Sequence, residues 1–223
     1  MSNGQNGTSR LWALRHGESR ANQEGIIVSR PGTEAFVWAK LTELGREQAA
    51  ASARANPIAV DALVVTSDFA RARETAEIAA EIWGTGEPRV DTRLRERDFG
   101  SLEGGSSALY DGVWAADTHG SPLPSGVETP AEVALRTRSL VEELLRANAP
   151  SDIVLVAHGD VLQITEAWLN GMAATAHRTL PHLRNAELRL LPSKPARVPT
   201  PSTEASTLTK SHQPGAASAR TVR

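Results

Sequence analysis

The sequence predicts an α/β protein: a three-layer sandwich with a mostly parallel sheet and helices on both faces. Three observations carry that expectation. Short apolar runs alternate with longer stretches of helical spacing, the pattern of consecutive β–α units. One run, Ile153–Val156, is a continuous β-branched and leucine stretch, the composition of a strand covered on both faces. Finally, Arg15-His16-Gly17, Thr66-Ser67 and His158-Gly159 each follow an apolar run directly. In parallel sheets ligands sit beyond the carboxyl ends of the strands, so these polar clusters are expected to share a pocket.

The elements follow in order. Arg10–Leu14 reads as the first strand. Thr42 to Ala55 reads as a helix with Thr42 as its N-cap, and Pro57 follows its end. Ala59–Val65 is a strand candidate. Asp68–Trp83 reads as a helix with Ala72, Ala76, Ile78, Ala79 and Ile82 on or near one face and Gly84 as its stop. Thr129-Pro130 starts another helix, because proline suits the first helical position. Val133, Leu140, Val141, Leu144 and Leu145 carry that helix to Asn148 and Pro150. After the strand at 153–156, Asp160 opens a helix through Leu169 to Gly171, and Ala186–Leu191 is the last strand. No internal repeat lies between them.

A length of 223 residues suits one full domain, and 40% hydrophobic with 22% charged residues is ordinary for a globular chain. Residues 10–191 are expected to form that domain, with a flexible stretch at 1–9. The segment 192–223 is rich in Pro, Ser, Thr and Ala and is expected to be disordered, because it has too few large apolar residues to offset the entropy of ordering. There are no cysteines, which excludes disulfides, thiolate catalysis and cysteine metal sites and fits a reducing compartment. The start, MSNGQNGTSR, lacks the basic and apolar regions of a signal peptide, and the longest apolar run, Ile153–Ala157, is too short to cross a bilayer. The expected location is cytoplasmic. Formal net charge is −2, but five Lys/Arg against one Glu leave +4 in residues 192–223 and −6 in residues 1–191. An acidic body is a poor scaffold for nucleic acid, so none is expected as a partner.

Leu14-Arg15-His16-Gly17-Glu18-Ser19, with Asn22 six residues past His16, resembles the signature of the histidine phosphatase superfamily. The resemblance is to the branch that includes the cofactor-dependent phosphoglycerate mutases. Three further stretches match in the expected order: Thr66 to Ala76 (TSDFARARETA), Leu94 to Gly104 (LRERDFGSLEG), and Val156-Ala157-His158-Gly159. A bare Arg-His-Gly means little, whereas four ordered motifs after apolar runs are specific. No GxxxxGK[ST] stretch exists, which sets aside a P-loop nucleotide binder.

The resemblance implies a phosphatase acting on a small phosphate ester. His16 is then the nucleophile, becoming a phosphohistidine, with one ring nitrogen unprotonated and the other N–H held by a carbonyl. Arg15 and Arg71 are the guanidinium clamps on the phosphoryl oxygens. His158, charged against the phosphate dianion, and Asn22 add donors, and Gly159 belongs to the binding site. Ser67 is a further contact to phosphate. Glu96 is the proton donor to the leaving oxygen and then activates the hydrolytic water. No metal and no cofactor are needed, because the arginines and His158 supply the positive field.

Other readings stand beside these. Arg71 shares its helix with Arg73, Glu74 and Glu77, the composition of a solvated face. Asp160 is a rival acid, but an acidic residue in the first turn of a helix has a sufficient structural reason. Glu103 matches the part of the motif concerned with packing and turn geometry. His119, His177, His182 and His212 match no motif position and read as surface or structural residues. Phe36, Trp38, Tyr110 and Trp114, from Gly25–Lys40 and Gly105–Glu128, are candidate pocket walls or core. Because the segment between the Glu96 motif and the next helix is short, the phosphatase reading is preferred to a mutase, which must exclude water. A non-catalytic phospho-ligand binder is the other alternative, and the presence of His16, His158 and Glu96 together speaks against it.

Overall fold

The computed structural model describes residues 9–146 and 150–192. The expectations for residues 1–8, His212 and the segment 193–223 fall outside that range; Ser9 and Pro192 lie within it, and Ser9 is buried.

Among the described residues, five strands form one sheet in the order β3-β2-β4-β1-β5. They are β1 (Arg10–Arg15), β2 (Leu63–Thr66), β3 (Arg89–Val90), β4 (Asp152–Ala157) and β5 (Leu188–Leu191). β1 and β2 both pair in parallel with β4, β3 pairs in parallel with β2, and β5 closes the other edge antiparallel to β1. Six described helices surround the sheet: α1 (Arg20–Glu24), α2 (Glu43–Ala55), α3 (Ala70–Trp83), α4 (Tyr110–His119), α5 (Pro130–Arg146) and α6 (Gly159–Leu169).

Alternation along the central strand divides the core. Ile153, Leu155 and Ala157 pack with Val133, Leu140, Val161 and Leu162 of α5 and α6. Val154 and Val156 point the other way, onto Ala53 of α2 and Ala76, Ala79, Ala80 and Trp83 of α3. The period-2 geometry of a strand thus builds a helical layer on each face, as the composition predicts.

Boundaries differ from the sequence reading for local reasons. β2 starts only at Leu63, because Ala59–Ala62 forms a turn in which the Ala62 N–H donates to the Ala59 carbonyl and the Ala59 N–H donates to the Asp152 carboxylate. α3 starts at Ala70, since Ser67 Oγ takes the Phe69 N–H and Asp68 is held by Arg95. β5 starts at Leu188, after Ala186 adopts a left-handed φ of 55°. α2 begins and ends as expected, with Thr42 accepting the Gly45 N–H, and α3 ends as expected, closed by Gly84 at φ 70°. α1, a π-helical turn at Glu34–Trp38, β3 and α4 have no counterpart in the sequence reading. Each is short or, in α4, interrupted by Gly112, so periodicity is too weak to mark it.

Candidate active site

Parallel pairing brings the carboxyl ends of β1, β4 and β2 side by side, and the three polar clusters extend from them. The His16 N–H donates to the Ala157 carbonyl, and the Ser67 N–H donates to the Val156 carbonyl. His158, directly after β4, is the N-cap residue of α6. The rings of His16 and His158 meet edge-on with centroids 5.2 Å apart.

Two partners settle the tautomer of His16. Its Nδ1 lies 2.7 Å from the Gly17 carbonyl, which can only accept, so Nδ1 carries the proton. Its Nε2 takes the Arg71 Nε–H at 3.2 Å, and arginine can only donate. Nε2 is therefore a free-pair nitrogen. Burial, with the Arg71 and Arg15 cations beside it, holds the His16 pKa well below 6.5 and keeps the ring neutral.

Arg71 is buried rather than solvated, and its Nη2 donates to the Val28 carbonyl at 2.9 Å. Arg73 lies outside, paired with Glu77. Arg15 is held through Nη1 by the Leu183 carbonyl (2.7 Å) and His182 Nε2 (2.8 Å). Ser67 Oγ accepts the Phe69 N–H and is hydrogen-bonded to His158 Nε2 at 3.0 Å. Arg15 Nε and Arg71 Nη1 are buried donors, and His158 Nδ1 a buried ring nitrogen, without a partner among the described residues. Such groups are costly unless an anion takes them up. Burial and the cations around it push the His158 pKa well below 6.5, which favours the neutral ring.

A pocket of about 120 Å³, open to solvent, is lined by Arg15, His16, Asn22, Arg71, Glu96 and Gly159, six of the sequence-derived residues. Asn22 turns Oδ1 to the Ser19 backbone and hydroxyl, leaving its amide N–H groups for the site. Glu96 has its pKa raised to about 7, by burial first and by Asp160 second, with Arg71 and Arg15 opposing. Tyr110 and Trp114 are walls, as anticipated. Phe36 and Trp38 are not among the lining: Phe36 packs edge-on against Phe69, and Trp38 lies under the Arg20 guanidinium. Glu103 takes the Ser29 and Arg30 N–H groups, a turn role as expected.

Two residues do more than the sequence reading gave them. His182 is a wall of the pocket and holds Arg15; burial and the Arg15 and Arg178 cations lower its pKa to about 4, so it stays a neutral acceptor. Its loop is pinned from α6, where Gln163 donates to the Leu180 carbonyl. No spacing marks that contact, since 167 residues separate His182 from Arg15. Asp160 does sit in the first turn of α6, but it also faces the pocket and accepts the Trp114 indole N–H at 3.0 Å. His177 and His119 cap nearby carbonyls, as structural residues do. Among the described residues, no group of three or more His, Asp or Glu is placed to hold a metal ion.

Comparison with known proteins agrees with this geometry. A family model described as the histidine phosphatase superfamily (branch 1) matches residues 11–198. The chain is 37% identical over 177 residues to the glucosyl-3-phosphoglycerate phosphatase of Mycobacterium tuberculosis, covering 72% of this chain and 74% of that protein. It is 32% identical over 185 residues to a Photorhabdus laumondii protein described as "Probable phosphoglycerate mutase GpmB", covering 80% and 82%. A solved mycobacterial glucosyl-3-phosphoglycerate phosphatase in complex with VO3 matches with a TM-score of 0.67 and 31% identity, over 82% of this chain and 96% of that one. With its fold, its ordered motifs and these relatives in agreement, the chain belongs to the histidine phosphatase superfamily, branch 1, an enzyme family acting on phosphate monoesters.

Proposed function

We propose that this protein is a phosphatase that hydrolyses a small phosphate monoester in two steps through His16. The observation that carries the reading is the fixed tautomer of His16, whose free-pair Nε2 takes the Arg71 Nε–H in a site where Arg15 Nε and Arg71 Nη1 are buried donors without a partner. In the first step Nε2 attacks phosphorus and the ester P–O bond breaks. Arg15, Arg71, His158 and Asn22 bind the phosphoryl oxygens, and Glu96 gives its proton to the leaving alkoxide. In the second step Glu96, now a carboxylate, takes a proton from water, which attacks the phosphohistidine and frees inorganic phosphate. The relatives direct the choice of ester: a phosphorylated glycerate, free or glycosylated, is the first substrate to assay. The acidic body supports a small ester rather than nucleic acid as partner, and the cysteine-free composition fits the cytoplasm.

Incubation with a ³²P-labelled ester should give acid-labile, base-stable labelling of the protein that is absent in His16→Ala. Turnover should survive EDTA and release inorganic phosphate rather than a phosphorylated acceptor. Labelling that persists in His16→Ala overturns the nucleophile, and phosphoryl transfer to a second substrate oxygen in place of phosphate release makes the enzyme a mutase.

A further inference from the structure

We propose that the Arg136–Glu128 ion pair is a clamp that positions Glu96 for the acid step, holding its backbone from behind the pocket. The proposal rests on the reading of Glu96 as proton donor and adds two positioning residues that lie outside the four motifs.

Glu96 stands on a stretch that regular structure does not hold. A short 3-10 turn ends at Leu94, and Glu96, Arg97 and Asp98 lie in neither helix nor strand. The Glu96 side chain accepts from its own neighbour, the Arg97 backbone N–H, at 2.9 Å. A bond inside the stretch cannot fix the stretch in the molecule. The aim of the carboxyl therefore follows whatever holds the backbone.

Arg136, on α5, supplies that hold. A guanidinium has five N–H donors, and here all five are engaged. Nη1 donates to the Arg93 and Arg95 carbonyls at 2.6 and 2.8 Å, and Nη2 donates to the Glu96 carbonyl at 3.3 Å. The other two run from Nε and Nη2 to the Glu128 carboxylate at 2.7 and 2.9 Å, a bidentate pair that fixes the plane of the fork. Glu128 grips the far end of the stretch. Its N–H donates to the Asp98 carbonyl at 2.8 Å, and its Oε2 takes the Asp98 N–H at 3.2 Å. Its carbonyl takes the Arg97 Nε–H at 2.7 Å. Residues 93–98 are thereby tied to a helix whose Val133 and Leu140 are buried in the core.

Location separates this role from contact with substrate. Arg136 and Glu128 line a second cleft with Arg95 and Asp98, and Glu96 is the one lining residue which that cleft shares with the reaction pocket. With every donor taken, Arg136 has none left for a phosphoryl oxygen. Its effect on the reaction has to pass through Glu96, and a misplacement of about 1 Å can cost about 10²-fold in rate.

Arg136→Lys keeps a cation beside Glu128 but cannot reproduce a planar five-donor fork. Single-turnover phosphorylation by an alkyl phosphate should slow by about 10–10²-fold, and by the p-nitrophenyl ester, which needs little protonation, by less than about threefold. In the Glu96→Gln background no acid remains to be aimed, so adding Arg136→Lys should slow the alkyl ester far less than it does alone. Equal slowing of both esters, or the same penalty with and without Glu96, would mean general damage to the domain and overturn the proposal. Amide hydrogen exchange needs no substrate: the Arg97 and Asp98 N–H groups should lose protection in Arg136→Lys while those of β4 keep theirs. Unchanged protection at Arg97 and Asp98 removes the clamp whatever the rates. Glu128→Gln loosens the same fork from its other end and should reproduce both effects in smaller measure, so the test stands even if Arg136→Lys does not fold. Glu96→Gln alone separates the two readings. Selective slowing there with none in Arg136→Lys removes the clamp and leaves the acid; no selectivity in Glu96→Gln removes the acid reading and the proposal with it.

Discussion

His16 carries its chemistry because two one-way partners fix one proton: a carbonyl at Nδ1 and an arginine at Nε2. Glu96 depends instead on a balance, between burial and Asp160 on one side and the Arg97 backbone N–H and two arginines on the other. Nucleophile and acid can therefore be separated by substitution. Glu96→Gln keeps the nucleophile and withdraws the proton. Single-turnover phosphorylation by an alkyl phosphate should slow by about 10²–10⁴-fold, the usual range for a general acid. The p-nitrophenyl ester has a good leaving group and should be slowed far less. Equal penalties for both esters would remove the acid role from Glu96. With Glu96 intact, the rate for the alkyl ester should fall as pH rises through about 7, because the acid form is lost there. The depressed pKa of His16 leaves the nucleophile neutral well below pH 6.5.

At the scale of elements, the site depends on how closely the β1–α1 turn meets the start of α2. A Cβ on Gly45 would lie 2.0 Å from the Glu18 carbonyl oxygen, and one on Gly17 would lie 2.2 Å from the Gly45 oxygen. Both obstacles are backbone, so nothing flexible can yield. Gly45→Ala should push α2 off the turn that follows His16. Overpacking of this kind costs about 1–3 kcal/mol. In a chain of this size each kcal/mol is worth about 2–4 °C in Tm. Thermal denaturation should show that loss, and kcat should fall with it because the Gly17 carbonyl orients the nucleophile. A variant with unchanged Tm and kcat would show that α2 and the turn can part without consequence.

For the whole molecule, the sheet sets the site. Three strand ends are brought together by parallel pairing through β4, and both helical layers send residues to the same end: Arg71 from α3, and Gly159 and Asp160 from α6. No described helix is long and apolar enough to cross a membrane. The basic, Pro/Ser/Thr-rich segment after Leu191 offers no apolar stripe to this architecture. Truncation after Leu191 should leave Tm and turnover nearly unchanged, as scanning calorimetry and a steady-state assay would show. A large loss of either would mean that the segment packs on the domain.

What the sequence by itself determined is whatever rests on neighbours along the chain. The Thr42 cap, the Gly84 stop and the Pro130 start are written within a few residues, and α2, α3 and α5 appear where those signals stand. The apolar run at Ile153–Val156 likewise lies inside β4, buried throughout. The motif residues Arg15, His16, Asn22, Arg71, Glu96, His158 and Gly159 could be named because the four ordered motifs that carry them resemble those of the histidine phosphatase superfamily. Only the tertiary structure decided the rest. The hold of His182 on Arg15, the burial of Arg71 in place of a solvated face, and the tie from Trp114 to Asp160 all join residues dozens to more than a hundred positions apart. Such contacts leave no periodic trace in the chain, because burial, and with it the cost of an unpaired charge, exists only once the layers have closed around it.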